Sequence, residues 1–211
     1  MLITFEGLDF SGKTTQIKLL VEKLKSYGND VIVVREPGGT PISEKIREIL
    51  LDKKNLEMTQ VAEILLFSAA RNQLVNQVMK PALEAGKVVI CDRYYDSTTA
   101  YQGYGRGVNL DDVKRINKIA TLGVVPDITF FVDIPIDEIK RRIEIAKSST
   151  DRMESSGDSF YERARKGFFE IAESEPERFH IMDGLKNVET IHNEIWKAVN
   201  DKMKNQLMEK L

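Results

Sequence analysis

The chain begins, after Met1, with Leu2-Ile3-Thr4-Phe5-Glu6-Gly7-Leu8-Asp9-Phe10-Ser11-Gly12-Lys13-Thr14. The apolar residues 2–5 predict a short buried strand, and residues 13–27 have the amphipathic spacing of a helix. Between them stands a glycine, then four residues, then Gly-Lys-Thr, which is the pattern of a phosphate-binding loop (P-loop) joining a strand to a helix. This stretch therefore predicts an α/β fold that binds a nucleotide.

The residue types of this loop match what a phosphate needs. Glycines let the backbone wrap around the phosphate, with successive N–H groups pointing inward and a helix N-terminus behind them. Lys13 is expected to bridge the terminal phosphates and the Thr14 hydroxyl to coordinate Mg²⁺. The predicted ATP-binding residues are Gly7, Leu8, Asp9, Phe10, Ser11, Gly12, Lys13, Thr14 and Thr15.

A second apolar run supplies a candidate partner for the same metal. Residues 88–91 are Val-Val-Ile-Cys, and they end in Asp92. A buried strand that delivers a carboxylate beside the loop can hold Mg²⁺ through its waters, although an aspartate that merely ends a strand is also common. Thr14 and Asp92 are the predicted metal-binding residues.

Outward from the loop, short apolar runs alternate with longer amphipathic segments along the whole chain. The runs predict strands at 2–5, 31–34, 88–91, 128–132 and 179–182. The amphipathic segments predict helices at 13–27, 43–51, 58–79, 111–122, 135–146, 159–173 and 188–209. Strict alternation indicates a parallel sheet with right-handed crossovers. We expect a single domain over residues 1–211, with a three-layer P-loop NTPase-type fold and a five-stranded parallel sheet flanked by helices.

One segment departs from the alternation. Residues 147–158 are polar and contain few core-forming side chains. Such a segment is either a solvated loop between helices or a short mobile lid that carries charged groups over a site. The phosphate-binding loop favours the lid.

Composition limits the partners. The chain has 211 residues and a formal net charge of -2, so no strong field attracts nucleic acid or an anionic membrane. The single cysteine, Cys91, lies in an apolar run and is interpreted as a buried small residue, which fits a reducing compartment. The start lacks a basic leader, and no apolar stretch is long enough to span a bilayer. We expect a cytoplasmic protein without nucleic-acid or membrane partners.

The remaining motifs favour an enzyme over a GTP-dependent switch. Asn117-Lys118-Ile119-Ala120 resembles a guanine-reading motif, but Ala120 cannot pair with a guanine edge. Arginines follow several predicted strands, at the edge where open α/β sheets bind ligands: Arg35, Arg47, Arg71, Arg93 and Arg106. Bidentate cations of this kind suit a second phosphate, so the residues by themselves predict a kinase with a small phosphorylated acceptor.

Longer motifs give a family resemblance over nearly the whole chain. They are Phe5-Glu6-Gly7, Arg35-Glu36-Pro37-Gly38-Gly39-Thr40, Leu66-Phe67-Ser68-Ala69-Ala70-Arg71, Asp92-Arg93-Tyr94 and Ser97-Thr98-Thr99-Ala100-Tyr101-Gln102-Gly103-Tyr104-Gly105-Arg106-Gly107. In these the chain resembles the thymidylate kinase family of nucleoside monophosphate kinases. The resemblance implies phosphoryl transfer from ATP to thymidine 5′-monophosphate, with Mg²⁺ as cofactor, and a homodimer.

The resemblance also implies roles for single residues. Phe67 would stack on thymine, Arg71 would contact a base carbonyl, and Gln102 and Ser97 would hydrogen-bond the base edge. The implied substrate-binding residues are Asp9, Glu36, Arg47, Phe67, Arg71, Arg93, Ser97, Tyr101 and Gln102. Tyr101 would pack beside the sugar, Asp9 would contact the 3′-hydroxyl, and Arg93 and Arg47 would grip the acceptor phosphate near Glu36.

The implied catalytic residues are Lys13, Asp9, Arg93, Lys147 and Arg152. Some members of the family carry an arginine in the loop where this chain has Phe10, and others place a catalytic arginine in the lid. Here Lys147 stands about where that lid arginine is expected, and either it or Arg152 would reach the transferring phosphoryl group.

Three alternatives remain at this level. A kinase for another monophosphate would share the loop and differ in the base pocket. A deoxynucleoside kinase would need a carboxylate base near the acceptor hydroxyl, for which Glu36 or Asp92 is available. A non-enzymatic switch would bind ATP and transfer nothing.

Overall fold

The computed structural model of the chain describes residues 1–146, 152–153 and 157–208, apart from the side chains of residues 206 and 207. Its strands are β1 Leu2–Glu6, β2 Val31–Arg35, β3 Val88–Asp92, β4 Ile128–Asp133 and β5 Phe179–Asp183. They form one parallel sheet in the order β2-β3-β1-β4-β5, which confirms the predicted five-stranded parallel sheet. Each strand is one residue longer than predicted, because a charged residue follows each apolar run.

Helices cover both faces of this sheet. Among the described residues the α-helices are α1 Lys13–Ser26, α2 Pro41–Leu51, α3 Gln60–Leu74, α4 Lys80–Glu84, α5 Tyr95–Thr98, α6 Leu110–Ala120, α7 Ile136–Ala146, α8 Asp158–Ser174 and α9 Val188–Met208. Two π-helical segments, Val75–Met79 and Thr99–Gly105, extend α3 and α5. The segment from α5 to residue 105 was not predicted as helical, because its buried polar and aromatic residues give no amphipathic period.

Alternate residues of the strands face different layers. Ile3 and Phe5 pack with the apolar faces of α1 and α9, whereas Leu2 and Cys91 pack with α3 and the π-helical segment that follows it. Phe131 stacks on Phe168 of α8, with ring centroids 4.7 Å apart. The buried Cys91 thiol matches its interpretation as a core residue, and burial raises its pKa well above the ordinary value.

The carboxyl ends of the strands meet at one edge of the sheet. Phe5 is paired with Asp92, and Arg35 is paired with the same residue from the other side. This register brings the loop after β1 next to the residues that follow β3, which is the position where open α/β sheets bind their ligands. None of the helices formed by the described residues combines the length and apolar character that a membrane span requires.

Of the predicted lid, the structure describes Arg152, Met153 and residues 157–158. Lys147 lies outside the described residues.

Candidate active site

The loop between β1 and α1 has the backbone of a phosphate cradle. Gly7 and Gly12 have φ angles of 139° and 102°, and Phe10 has a φ of 61°. A Cβ on Gly7 would stand 2.5 Å from the carbonyl oxygen of Val132, so any other residue would collide with β4. Both glycines are therefore required by backbone conformation, and Gly7 also by close approach, as the motif predicted.

Lys13 is held inside this loop by its own backbone. Its Nζ donates to the carbonyl oxygens of Gly7 and Leu8, at 3.0 and 2.9 Å. Burial, followed by repulsion from Arg93, lowers the pKa of Lys13 to about 8. The Ser11 hydroxyl is also buried, and no described residue bonds to it. A buried cation and an unpaired hydroxyl beside a ring of N–H groups fit the oxygens of a phosphate chain.

The residues predicted to hold a metal lie beside this loop. Thr14 and Asp92 line the same groove as Ser11 and Lys13. The described residues contain no group of three or more His, Cys, Asp or Glu side chains placed to hold a metal ion. A hydroxyl and a single carboxylate suit Mg²⁺, because that ion usually keeps several waters and takes phosphate oxygens as further ligands.

A second pocket begins where the phosphate groove ends. Its empty volume, including the open mouth, is about 610 Å³. All nine predicted substrate-binding residues line it, and they come from six different segments of the chain: Asp9, Glu36, Arg47, Phe67, Arg71, Arg93, Ser97, Tyr101 and Gln102. Asp9, Glu36, Arg47 and Arg93 line the phosphate groove as well, so the two pockets share one wall.

Arg93 occupies the centre of the shared wall. Its Nη2 lies 2.7 Å from Asp9 Oδ1, and its Nη1 donates to the Gly7 carbonyl oxygen at 2.8 Å. Burial opposes ionisation of Asp9, but the cations of Arg93 and Lys13 outweigh it and keep the pKa of that carboxyl below its ordinary value. The backbone of Arg93 has a φ of 68°, a left-handed conformation that is costly for a residue with a side chain.

The far end of the second pocket contains a buried ion pair. Arg71 donates to Glu36 Oε2 at 2.7 Å, to Asn117 Oδ1 at 3.2 Å and to the Tyr94 carbonyl oxygen at 3.1 Å. Burial raises the pKa of Glu36 despite the attraction of Arg71. Arg71 Nη2 is also 2.6 Å from Glu36 Oε2, so these contacts together fix the guanidinium in place.

Glu6, at the end of β1, is a supporting residue that the sequence analysis missed. Its carboxylate accepts from the Tyr94 backbone N–H at 2.8 Å and from the Ser97 hydroxyl at 2.5 Å. Burial, together with the nearby Asp96 carboxylate, raises the pKa of Glu6 to about 8. A glutamate directly after an apolar strand was the available signal, but only the fold shows that it lies beneath the segment after Arg93.

Arg152 lies on the side of the second pocket. Its Nη1 is 2.6 Å from Glu63 Oε2, and its Nε donates to the Leu50 carbonyl oxygen at 2.6 Å. Its neighbour Met153 lines the second pocket together with Leu51. Within the described part of the chain, Arg152 forms its hydrogen bonds with Leu50, Leu51, Glu63 and Met153, and its catalytic role stays a prediction.

Arg142 on α7 is a second residue that the sequence analysis did not single out. It donates to the carbonyl oxygens of Phe10 and Gly184, at 3.0 and 3.3 Å, and to Glu138 at 2.6 Å. It therefore ties the tip of the phosphate-binding loop to the segment after β5. Its helical period predicts only a solvated face, so no sequence signal separates it from its neighbours.

Comparisons with known proteins agree on one family. The family model described as thymidylate kinase matches residues 5–195. The thymidylate kinase of Chlorobaculum parvum is 48% identical over 207 residues, covering 94% of this chain and 95% of the relative. That of Caldanaerobacter subterraneus subsp. tengcongensis is 47% identical and covers 96% of each chain. The crystal structure of thymidylate kinase from Ehrlichia chaffeensis is 38% identical, covers 95% of this chain and 98% of its own, and superimposes with a TM-score of 0.77.

Proposed function

Because this chain belongs to the thymidylate kinase family, and therefore transfers a phosphoryl group from ATP to thymidine monophosphate, we propose that its two pockets divide the substrates between them. ATP binds in the phosphate groove after β1, and thymidine monophosphate binds in the pocket beyond Arg93. The observation that carries this division is the shared wall, since Asp9, Glu36, Arg47 and Arg93 line both pockets. A group on that wall can contact both phosphates during transfer.

On the donor side, the backbone of residues 7–15 cradles the phosphates of ATP, and Lys13 stabilises the charge of the terminal ones. Thr14 and Asp92 hold Mg²⁺, in keeping with their place in the same groove. Mg²⁺ held by these two residues would neutralise negative charge on the transferring phosphoryl group. The Asp92→Asn variant is expected to need a higher Mg²⁺ concentration for half-maximal activity.

On the acceptor side, Phe67 stacks on the thymine ring, and Arg71 and Gln102 hydrogen-bond its polar edge. Tyr101 packs beside the deoxyribose and forms a cation–π contact with Arg93, whose Cζ is 5.3 Å from the ring centroid. Ser97 is fixed by its bond to Glu6. Stacking on one face with hydrogen bonds at the edge is the arrangement that recognises a single base.

Transfer itself depends on position and charge more than on a strong base. Arg93 and Arg47 hold the acceptor phosphate so that its oxygen attacks the γ-phosphorus in line, and ADP leaves. Asp9 keeps Arg93 in place and contacts the 3′-hydroxyl. Of the two cations expected from the lid, we propose that Lys147 contacts the transferring phosphoryl group. The guanidinium of Arg152 is already hydrogen-bonded to Glu63 and to the Leu50 carbonyl oxygen.

We also propose that the chain, as one kinase domain over residues 1–211, works as a homodimer. The family resemblance suggests this, and an apolar face that could be buried lies on α3 and α6. Val61, Leu65 and Ile119 there have exposed fractions of 59%, 52% and 73%. Sedimentation equilibrium tests it: the wild type should have twice the chain mass, and Leu65→Glu with Ile119→Glu should have the mass of one chain.

A cytoplasmic location is proposed from the single cysteine.

The substrate assignment is tested by supplying ATP and Mg²⁺ with a panel of nucleosides and nucleoside monophosphates. ADP release and diphosphate formation are followed together, so that transfer is separated from hydrolysis. Preference for thymidine monophosphate, lost in Arg93→Ala, is the expected result. Transfer to a nucleoside, or preference for a ribonucleotide, would contradict the proposed acceptor pocket while leaving the ATP site intact.

A further inference from the structure

Glu63 on α3 is a buried carboxylate that the proposed reaction does not use. Its exposed fraction is 1%, and side chains from three different residues donate to it. Oε1 accepts from Gln102 Nε2 at 3.0 Å and from Arg106 Nε at 3.1 Å. Oε2 accepts from Arg106 Nη2 at 3.3 Å and from Arg152 Nη1 at 2.6 Å. Of these partners, Gln102 lines the acceptor pocket.

The negative charge of Glu63 determines the orientation of the Gln102 side-chain amide. Burial opposes ionisation of Glu63, but the bonds from Gln102, Arg106 and Arg152 outweigh it and lower the pKa of the carboxyl. An ionised carboxylate accepts hydrogen bonds and donates none. The Gln102 NH₂ group must therefore face Glu63, because the opposite orientation would set the amide oxygen against a buried negative charge.

This orientation leaves the amide oxygen of Gln102 for the ligand. Gln102 has an exposed fraction of 2%, and no hydrogen bond from a described residue reaches its Oε1. An acceptor-only atom at this position pairs with an N–H group of a base. Thymine carries a hydrogen on N3, whereas cytosine carries a lone pair there, so the same oxygen attracts the first base and repels the second.

We propose that Glu63 is a specificity-determining positioning residue, which orients the Gln102 amide so that its oxygen reads the N3–H of thymine. Glu63 itself lies behind the pocket wall and acts only through Gln102. Arg106 and Arg152 keep the carboxylate ionised, and Arg106 is held from its other side by Phe160, 4.4 Å from Cζ to the ring centroid. The inference rests on the proposed role of Gln102 in the acceptor pocket.

The test compares two ligands that differ only at the edge concerned. Thymidine monophosphate and 5-methyl-deoxycytidine monophosphate have the same sugar, phosphate and ring methyl group. Isothermal titration calorimetry on the full chain gives the ratio of their dissociation constants. The variants are Glu63→Gln, Gln102→Leu, the double variant, and Arg106→Gln as the matched control, with thermal unfolding of each to verify that it folds.

A glutamine at position 63 can donate or accept, so it no longer selects one orientation of the Gln102 amide. We expect Glu63→Gln to lower the binding preference for thymidine monophosphate by about 3- to 10-fold, the worth of one hydrogen bond. Gln102→Leu should lower it by about 10-fold. The double variant should lower it no further than Gln102→Leu alone, because Glu63 acts through that side chain. Arg106→Gln should keep the preference, since the ion pair with Arg152 still holds Glu63 ionised and the bond between Glu63 and Gln102 remains.

The other results separate the possible errors. A preference unchanged in Glu63→Gln but reduced in Gln102→Leu would overturn the role of Glu63 and leave the pocket assignment standing. Equal losses in Glu63→Gln and Arg106→Gln, or additive losses in the double variant, would reduce Glu63 to a structural residue. A preference unchanged in Gln102→Leu would overturn both the inference and the proposed contact of Gln102 with the base.

Discussion

Two substitutions of Arg93 separate the cost of its backbone from the use of its side chain. Arg93→Gly and Arg93→Ala both remove the contacts to Asp9 and Gly7, so these losses cancel in the comparison. Residue 93 keeps its φ of 68° in both variants. This left-handed conformation costs alanine about 1–2 kcal/mol of folding free energy, whereas glycine adopts it freely. The glycine variant in turn loses about 0.5–1 kcal/mol of stability, because its unfolded chain has the larger conformational entropy. The glycine variant should therefore be more stable than the alanine variant by about 0.5–1 kcal/mol.

Urea unfolding measures this difference, and thermal unfolding should show a midpoint higher by about 2 °C in the glycine variant. Lys114 on α6 is the matched control, because glycine in a regular helix should be less stable than alanine by about 1 kcal/mol. Both Arg93 variants should lose kcat/KM to the same extent, by about 10²–10³-fold, since one charged donor is removed from the reacting phosphates. An alanine variant as stable as the glycine variant would show that the backbone at residue 93 is not strained.

Three further outcomes are expected. Phe67→Ala should raise the KM for thymidine monophosphate by about 5- to 100-fold and leave the KM for ATP unchanged, whereas Phe169→Ala, outside the pocket, should change neither in steady-state assays. Because the pKa of Glu6 is raised to about 8 in the folded state, its stabilising contribution is complete below pH 4.5 and is lost as the pH rises through 8. Urea unfolding should thus show a smaller decrease in stability over that range in Glu6→Gln, and identical pH profiles would contradict the shift. Arg178→Met should destabilise the fold by about 3–5 kcal/mol in the same assay, because it leaves the Asp96 carboxylate buried without its cation, and a loss below 1 kcal/mol would show that the pair is solvated.

The parts of the fold that depend on local sequence were predictable. Each run of four or five mostly apolar residues became a strand. The strands β1, β3 and β4 are buried on both faces, which favours apolar side chains throughout, whereas Val33 of β2 and Ile181 of β5 are 50% and 43% exposed at the edges of the sheet. The phosphate-binding loop could also be predicted, because Gly7 and Gly12 are required by the local backbone conformation. The order of the strands in the sheet could not be predicted, because hydrophobic runs do not specify which strands pair with each other.

The same distinction between local sequence and tertiary structure applies to the candidate site. Sequence motifs named nine residues for the acceptor pocket, and the fold places all nine around one cavity, although their roles are still predictions. The partners that orient them were beyond reach: Glu63 meets Arg152 across 89 positions, and Glu6 meets Ser97 across 91. A buried carboxylate and a surface carboxylate look alike in a sequence, since only tertiary packing removes one of them from water. The sequence by itself therefore predicts where phosphate binds, and only the three-dimensional structure shows which charges are buried and how they orient the residues around the second pocket.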